Sequence, residues 1–116
     1  MYEYRATVID VHDGDTCHLE LDLGCDIKTR LTIRLNGIDA PELKSEGGIA
    51  ARDYLRGRLT PGATIWLRTI KDRREKYGRY LGELFLTEAG LIDPAASINV
   101  ELVLTNHAVA YAGGHR

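Results

Sequence analysis

The chain has 116 residues, 44% of them apolar and 28% charged, with a formal net charge of −2. This is the size and composition of one soluble globular domain spanning 1–116, and no apolar run approaches the about 20 residues of a membrane-spanning helix, so no membrane partner is expected. The charge balance excludes a binder that relies on an overall basic surface. The two cysteines, Cys17 and Cys25, lack C-x-x-C spacing and exclude a disulfide framework. Both are expected as free thiols. The opening MYEYRATVID has no basic segment followed by an apolar one. A cytoplasmic chain is expected if residue 1 is its natural start; a secreted chain that had lost its leader would read the same way.

The first third reads as β structure. RATVIDVHD and DTCHLELDL flank Asp13-Gly14, a hairpin signal. In the second run Cys17, Leu19, Leu21 and Leu23 share one face, and Thr16, His18, Glu20 and Asp22 the other. TRLTIRLN then places Leu31, Ile33 and Leu35 inward and Arg34 outward. From about Glu46 to Leu59 the pattern turns helical, with Leu55 and Leu59 one turn apart, and Thr60-Pro61-Gly62 ends it. ATIWLRTI and RYLGELFL are two further strands, with Trp66 expected in the core or against a helix. A last helix is expected from Asp93-Pro94, capped by the aspartate, to about Thr105, with Asn106 ending it in a left-handed conformation. The order β-β-β-α-β-β-α suits a mainly β fold with helices, the five-stranded OB-fold barrel. A three-stranded sheet packed on two helices is the alternative.

Three polar clusters fall at strand ends or loops: DGDT (13–16), RLNGIDAPE (34–42) and DRREKYGRY (72–80). Asp15 and Asp39, presented from two strand ends, can converge on a hard divalent cation, with carbonyls and water completing its shell. Glu42 lies three residues on, past Pro41, which stiffens the bend. Arg34 and Arg79 supply planar forks suited to phosphate oxygens. Acids for a metal and for water, with two arginines for phosphate, suit phosphodiester hydrolysis. Singly, each cluster is ordinary turn or surface chemistry, and these residue types alone leave a nuclease as one reading among several. His12, His18, His107 and His115 are scattered without transition-metal spacing, and zinc is not expected.

Taken in order, VIDVHDGDT, IRLNGIDAPE, EKYGRYLGELF and INVELVLTNHAVAY resemble the staphylococcal nuclease (thermonuclease-like) family over roughly residues 4 to 112. The resemblance implies an OB-fold barrel and calcium-dependent cleavage of DNA and RNA with little sequence specificity. It implies calcium held by Asp15, Asp39 and the Ala40 carbonyl, with Asp13 supporting them from behind. Glu42 would be the general base or the residue that orients water, and Arg34 and Arg79 would clamp the scissile phosphate. Lys76 and Tyr77 would contact a terminal phosphate and nucleotide, and Tyr111 would line the same pocket. The partner implied is single-stranded or denatured DNA, or RNA, met by a monomer. The stretch after Glu42, LKSEGGIAARDYL, is shorter than the lysine-bearing loop of the best-known members, which implies a weaker grip on substrate. The alternative is a family domain that binds nucleic acid or protein with weak or no turnover.

Overall fold

The computed structural model describes residues 2–74 and 78–111, the side chains of 71–74 excepted. Five strands close into a barrel: β1 (Tyr2–Asp13), β2 (Thr16–Asp22), β3 (Lys28–Leu35), β5 (Thr64–Arg74) and β6 (Tyr80–Phe85), in the ring order β1-β2-β3-β6-β5. Two short strands, β4 (Ile38–Asp39) and β7 (Val109–Ala110), pair outside the ring. Helix α1 (Glu46–Arg58) links β4 to β5, and helix α2 (Ile98–Leu104) follows two short 3₁₀ turns after β6. The OB-type barrel with helices is therefore the architecture observed. Among the described residues no helix is long and apolar enough to cross a membrane.

Alternation builds the barrel wall. Cys17, Leu19 and Leu21 of β2, Ile33 and Leu35 of β3, Ile65 and Leu67 of β5 and Leu84 of β6 are buried in one core. β1 is long because it pairs with β2 on one side and β5 on the other, and register shifts between Val8 and Asp10 and between Val11 and Asp13 bend it. Closure comes from β3 and β6, which run parallel over Ile33↔Tyr80, Arg34↔Leu81 and Leu35↔Gly82. On α1, Gly48, Ala51 and Leu55 form the buried stripe, and Leu59 extends it past the C-terminus. Ser45 caps this helix by accepting the Gly48 N–H at 3.0 Å.

Three expectations are corrected. Leu23 is exposed, because β2 ends at Asp22 and the chain turns through Gly24, Cys25 and Asp26, all at positive φ. Trp66 lies half-buried on the outer face of β5, where Ile65, Leu67 and Thr69 take the inward positions. The last helix starts later than Asp93: that residue caps only the 3₁₀ turn Pro94–Ala96, and Ser97, extended at ψ 149°, caps α2 by accepting the Val100 N–H. Asn106 does adopt the left-handed conformation, at φ 63°. Cys17 is buried and Cys25 exposed, both as free thiols.

Candidate functional site

The β1–β2 connection is the two residues Gly14 and Asp15, between the paired Asp13 and Thr16. Asp13 shapes this turn by accepting the Asp15 N–H at Oδ1, 3.0 Å away. A side chain at Gly14 would not fit: an added Cβ would stand 2.7 Å from the Cβ of Ala40 and 2.7 Å from that of Ala51. The bare glycine lets the turn press against both the Ala40 segment and α1. Asp15 is thereby pushed inward, its side chain 12% exposed.

Both oxygens of its carboxylate are engaged. Oδ2 accepts the Ala40 N–H at 2.9 Å, and Oδ1 accepts the Thr16 hydroxyl at 3.2 Å. Arg34 reaches the same place from β3, since Thr16 and Arg34 are cross-strand partners. The Arg34 Nη1 donates to the Leu35 carbonyl at 2.7 Å, which fixes the guanidinium plane. Its Nη2 donates to Asp39 Oδ1 at 3.2 Å and lies 3.5 Å from Asp15 Oδ2. One guanidinium nitrogen thus stands between two carboxylates, one from the β1–β2 turn and one from β4. Burial pushes the Asp15 carboxyl above its ordinary range, against the pull of the Ala40 N–H and the Arg34 charge.

Two carboxylates and one guanidinium leave a net negative charge in a partly desolvated place. Among the described residues no three His, Cys, Asp or Glu side chains gather to hold a metal. A cation here would rest on Asp15, Asp39, a main-chain oxygen such as that of Ala40, and water. The side-chain donors are hard oxygens, and the residual negative charge favours a cation, so the set fits a divalent ion of the calcium type.

Glu42 stands apart from this cluster. Its side chain is 76% exposed and pairs with Lys44 at 3.3 Å. Its backbone, by contrast, is held firmly: the Glu42 carbonyl accepts the Ser45 N–H at 3.0 Å and the Ser45 hydroxyl at 2.7 Å. Gly48 packs so closely beneath that an added Cβ would come within 1.8 Å of the Glu42 oxygen. Arg79, half-buried, lines a groove of about 520 Å³ with His12, Asp13, Thr16, His18 and Thr32. The groove adjoins the cluster through Asp13 and Thr16, both bonded to Asp15. Tyr111 donates its N–H to the Gly37 carbonyl at 2.8 Å, against the turn that separates Arg34 from Asp39. Lys76, Tyr77 and His115 lie outside the described residues.

Two residues at this end of the barrel escaped the sequence reading. Alternation places Thr16 on the polar face, yet it is buried beside Asp15. Asn99, also buried, bonds from α2 to the turn after β3 and to β6. The available signal was an amide next to Ile98 on the inward side of an apolar helix.

The staphylococcal nuclease homologue family model matches residues 32–115. The chain is 34% identical over 120 residues to Endonuclease YhcR of Bacillus subtilis (strain 168), a match that covers 94% of this chain and 9% of that protein. It is 35% identical over 83 residues to an uncharacterized endonuclease of Escherichia coli O157:H7, covering 72% of this chain and 49% of that one. It is 30% identical over 110 residues to Protein ParB of Escherichia coli, covering 95% and 58%. The chain therefore spans between a tenth and three fifths of the length of these relatives. The family match begins at Thr32, after the Asp15 turn, whereas the similarity to YhcR takes in nearly the whole chain. With the barrel, the ordered motifs and these matches together, the chain belongs to the staphylococcal nuclease homologue family.

Proposed function

We propose that this chain is a calcium-dependent nuclease domain that hydrolyses phosphodiester bonds in DNA and RNA with little sequence specificity. The observation that carries the reading is the convergence of Asp15 and Asp39 on a single nitrogen of Arg34. The family membership and the relatives named endonuclease support it.

In this reading Asp15, Asp39 and the Ala40 carbonyl hold calcium, which when bound supplies positive charge that polarises the phosphoryl oxygen. Arg34, already oriented by the Leu35 carbonyl, donates to a non-bridging oxygen of the scissile phosphate. Arg79 approaches the same phosphate from the adjoining groove. Glu42 orients or deprotonates the attacking water after leaving Lys44. An exposed ion pair of this kind holds by about 1 kcal/mol or less, so the swing costs little. Lys76, Tyr77 and Tyr111 are assigned to the flanking nucleotide, where an aromatic face stacks on any base.

The test is cleavage of heat-denatured DNA and of RNA in excess calcium, against EDTA, with Glu42→Gln in parallel. Cutting that needs calcium and collapses in the variant supports the reading. The outward position of Glu42 favours a second reading, a domain that binds nucleic acid without turnover. Folded wild-type protein that retains single-stranded DNA in calcium but leaves it intact would decide for that one.

A further inference from the structure

Asn99 is 3% exposed, and the two ends of its carboxamide are both engaged. Oδ1 accepts the Leu84 N–H at 3.1 Å, while Nδ2 donates to the Asn36 carbonyl at 2.8 Å and to the Gly82 carbonyl at 3.0 Å. Gly82 also accepts the Asn36 N–H at 2.9 Å. One helix side chain therefore joins β6 to the turn that follows β3.

That junction is where the ring closes. β3 and β6 pair in parallel over three positions, whereas β2 and β3 pair over seven. One arginine of the candidate site lies within this short seam and the other adjoins it. Arg34 is opposite Leu81 within it, and Arg79 immediately precedes β6. Asn36 sits two residues after Arg34 and three before Asp39, so a bond to its carbonyl acts on the link between them.

We propose that Asn99 is a positioning residue: by tying Asn36 to Gly82 and Leu84 it sets where Arg34 stands relative to Asp39 and Arg79. The proposal rests on the nuclease reading for its effect on turnover, though not for its effect on geometry. α2 has a second tether that serves as a control. Its Glu101 accepts hydrogen bonds from Tyr54, at 2.6 Å, and from Arg58, both on α1 and neither in the seam. Tyr54→Phe removes one bond of this α2 tether and leaves the β3–β6 pairing untouched.

The experiment compares Asn99→Ser with Tyr54→Phe at a temperature where circular dichroism shows both folded. Cleavage of a single-stranded oligonucleotide in calcium is measured beside hydrogen exchange at the Asn36 and Leu84 amides and the Arg34 guanidinium. The expected result for Asn99→Ser is a fall in kcat of about tenfold or more with little change in KM, because reacting groups lose register. Tyr54→Phe should stay within about twofold of wild type. Faster exchange at Asn36 and Arg34 should follow Asn99→Ser alone. Equal turnover in the two variants, or unchanged exchange at the seam, overturns the proposal. Should Asn99→Ser fail to fold, Asn99→Asp keeps the size and the acceptor for Leu84 and removes the donors, and it is read by the same criteria. If wild type cuts nothing, the nuclease reading fails, and the exchange rates alone then sustain or overturn the positioning role.

Discussion

Arg34 and Glu42 lie eight residues apart in one motif and are held in opposite ways. Arg34 is 12% exposed and fixed by a carbonyl and two carboxylates, whereas the Glu42 side chain is 76% exposed and held by one lysine. The difference is one of support. Arg34 sits in a strand with neighbours on both sides, so its partners are placed before any ligand arrives. Glu42 follows Pro41 in a loop whose backbone is clamped while its side chain is not. In the proposed reaction the charged cluster is preorganised, and the water-directing carboxylate is recruited.

Arg34→Ala should have the largest effect, because it removes a phosphate donor and leaves two carboxylates facing each other. Cleavage should fall by about 10³-fold, and stability by about 3 kcal/mol in the absence of metal. Activity assays with denaturant titrations check both, and a variant as stable as wild type would mean that Asp15 and Asp39 do not depend on Arg34. Glu42→Gln should separate the two regions most clearly. Activity should drop by about 10²-fold while stability stays within about 0.5 kcal/mol of wild type. A large loss of stability there would show that Glu42 is held far more firmly than a surface pair.

Gly48→Ala tests the clamp beneath Glu42. Its new Cβ cannot fit against the Glu42 carbonyl, so the loop or the helix start must shift, at a cost of about 1–3 kcal/mol. Thermal unfolding measures the cost, and no change would mean that this contact opens freely.

The smallest effects concern pH. The folded state raises the Asp15 pKa above its ordinary 3.8, chiefly by burial. Ionised Asp15 therefore costs the metal-free fold stability at neutral pH, and the cost fades as the pH falls through the raised value towards 3.8. Burial pushes Glu101 up as well, but the hydrogen bonds from Arg58 and Tyr54 outweigh it and leave its pKa below the ordinary 4.5. Its contribution is present above 4.5 and is lost as the pH falls through the lowered value. Unfolding curves from pH 7 to pH 3 should show wild type gaining on Asp15→Asn and losing on Glu101→Gln. Parallel curves for both variants would contradict the two shifts.

Much of this architecture was legible locally. The Asp13-Gly14 turn, the alternation of Cys17, Leu19 and Leu21, and the spacing of Leu55 and Leu59 each report a structure built from near neighbours. Asn106 announced the end of α2 for the same reason. The misplacements came where neighbours misled. Leu23 kept the alternation of β2 after the strand had ended, and Asp93 offered a cap that a later serine took over. Thr16 fitted the polar face by parity, though the turn it borders folds back onto Ala40 and α1.

Residue types and short-range periods settled the strands, the caps and the chemistry on offer: two aspartates, a glutamate and two arginines at strand ends and in loops. Their convergence was a matter for the closed ring. Asp15 meets the Ala40 N–H across 25 residues of chain, and Asn99 meets Asn36 across 63. Spacing along a chain carries no record of such distances. They are set when β3 and β6 close the barrel and α2 packs against that closure, which is why the placement of Arg34 between two acids belongs to the tertiary structure alone.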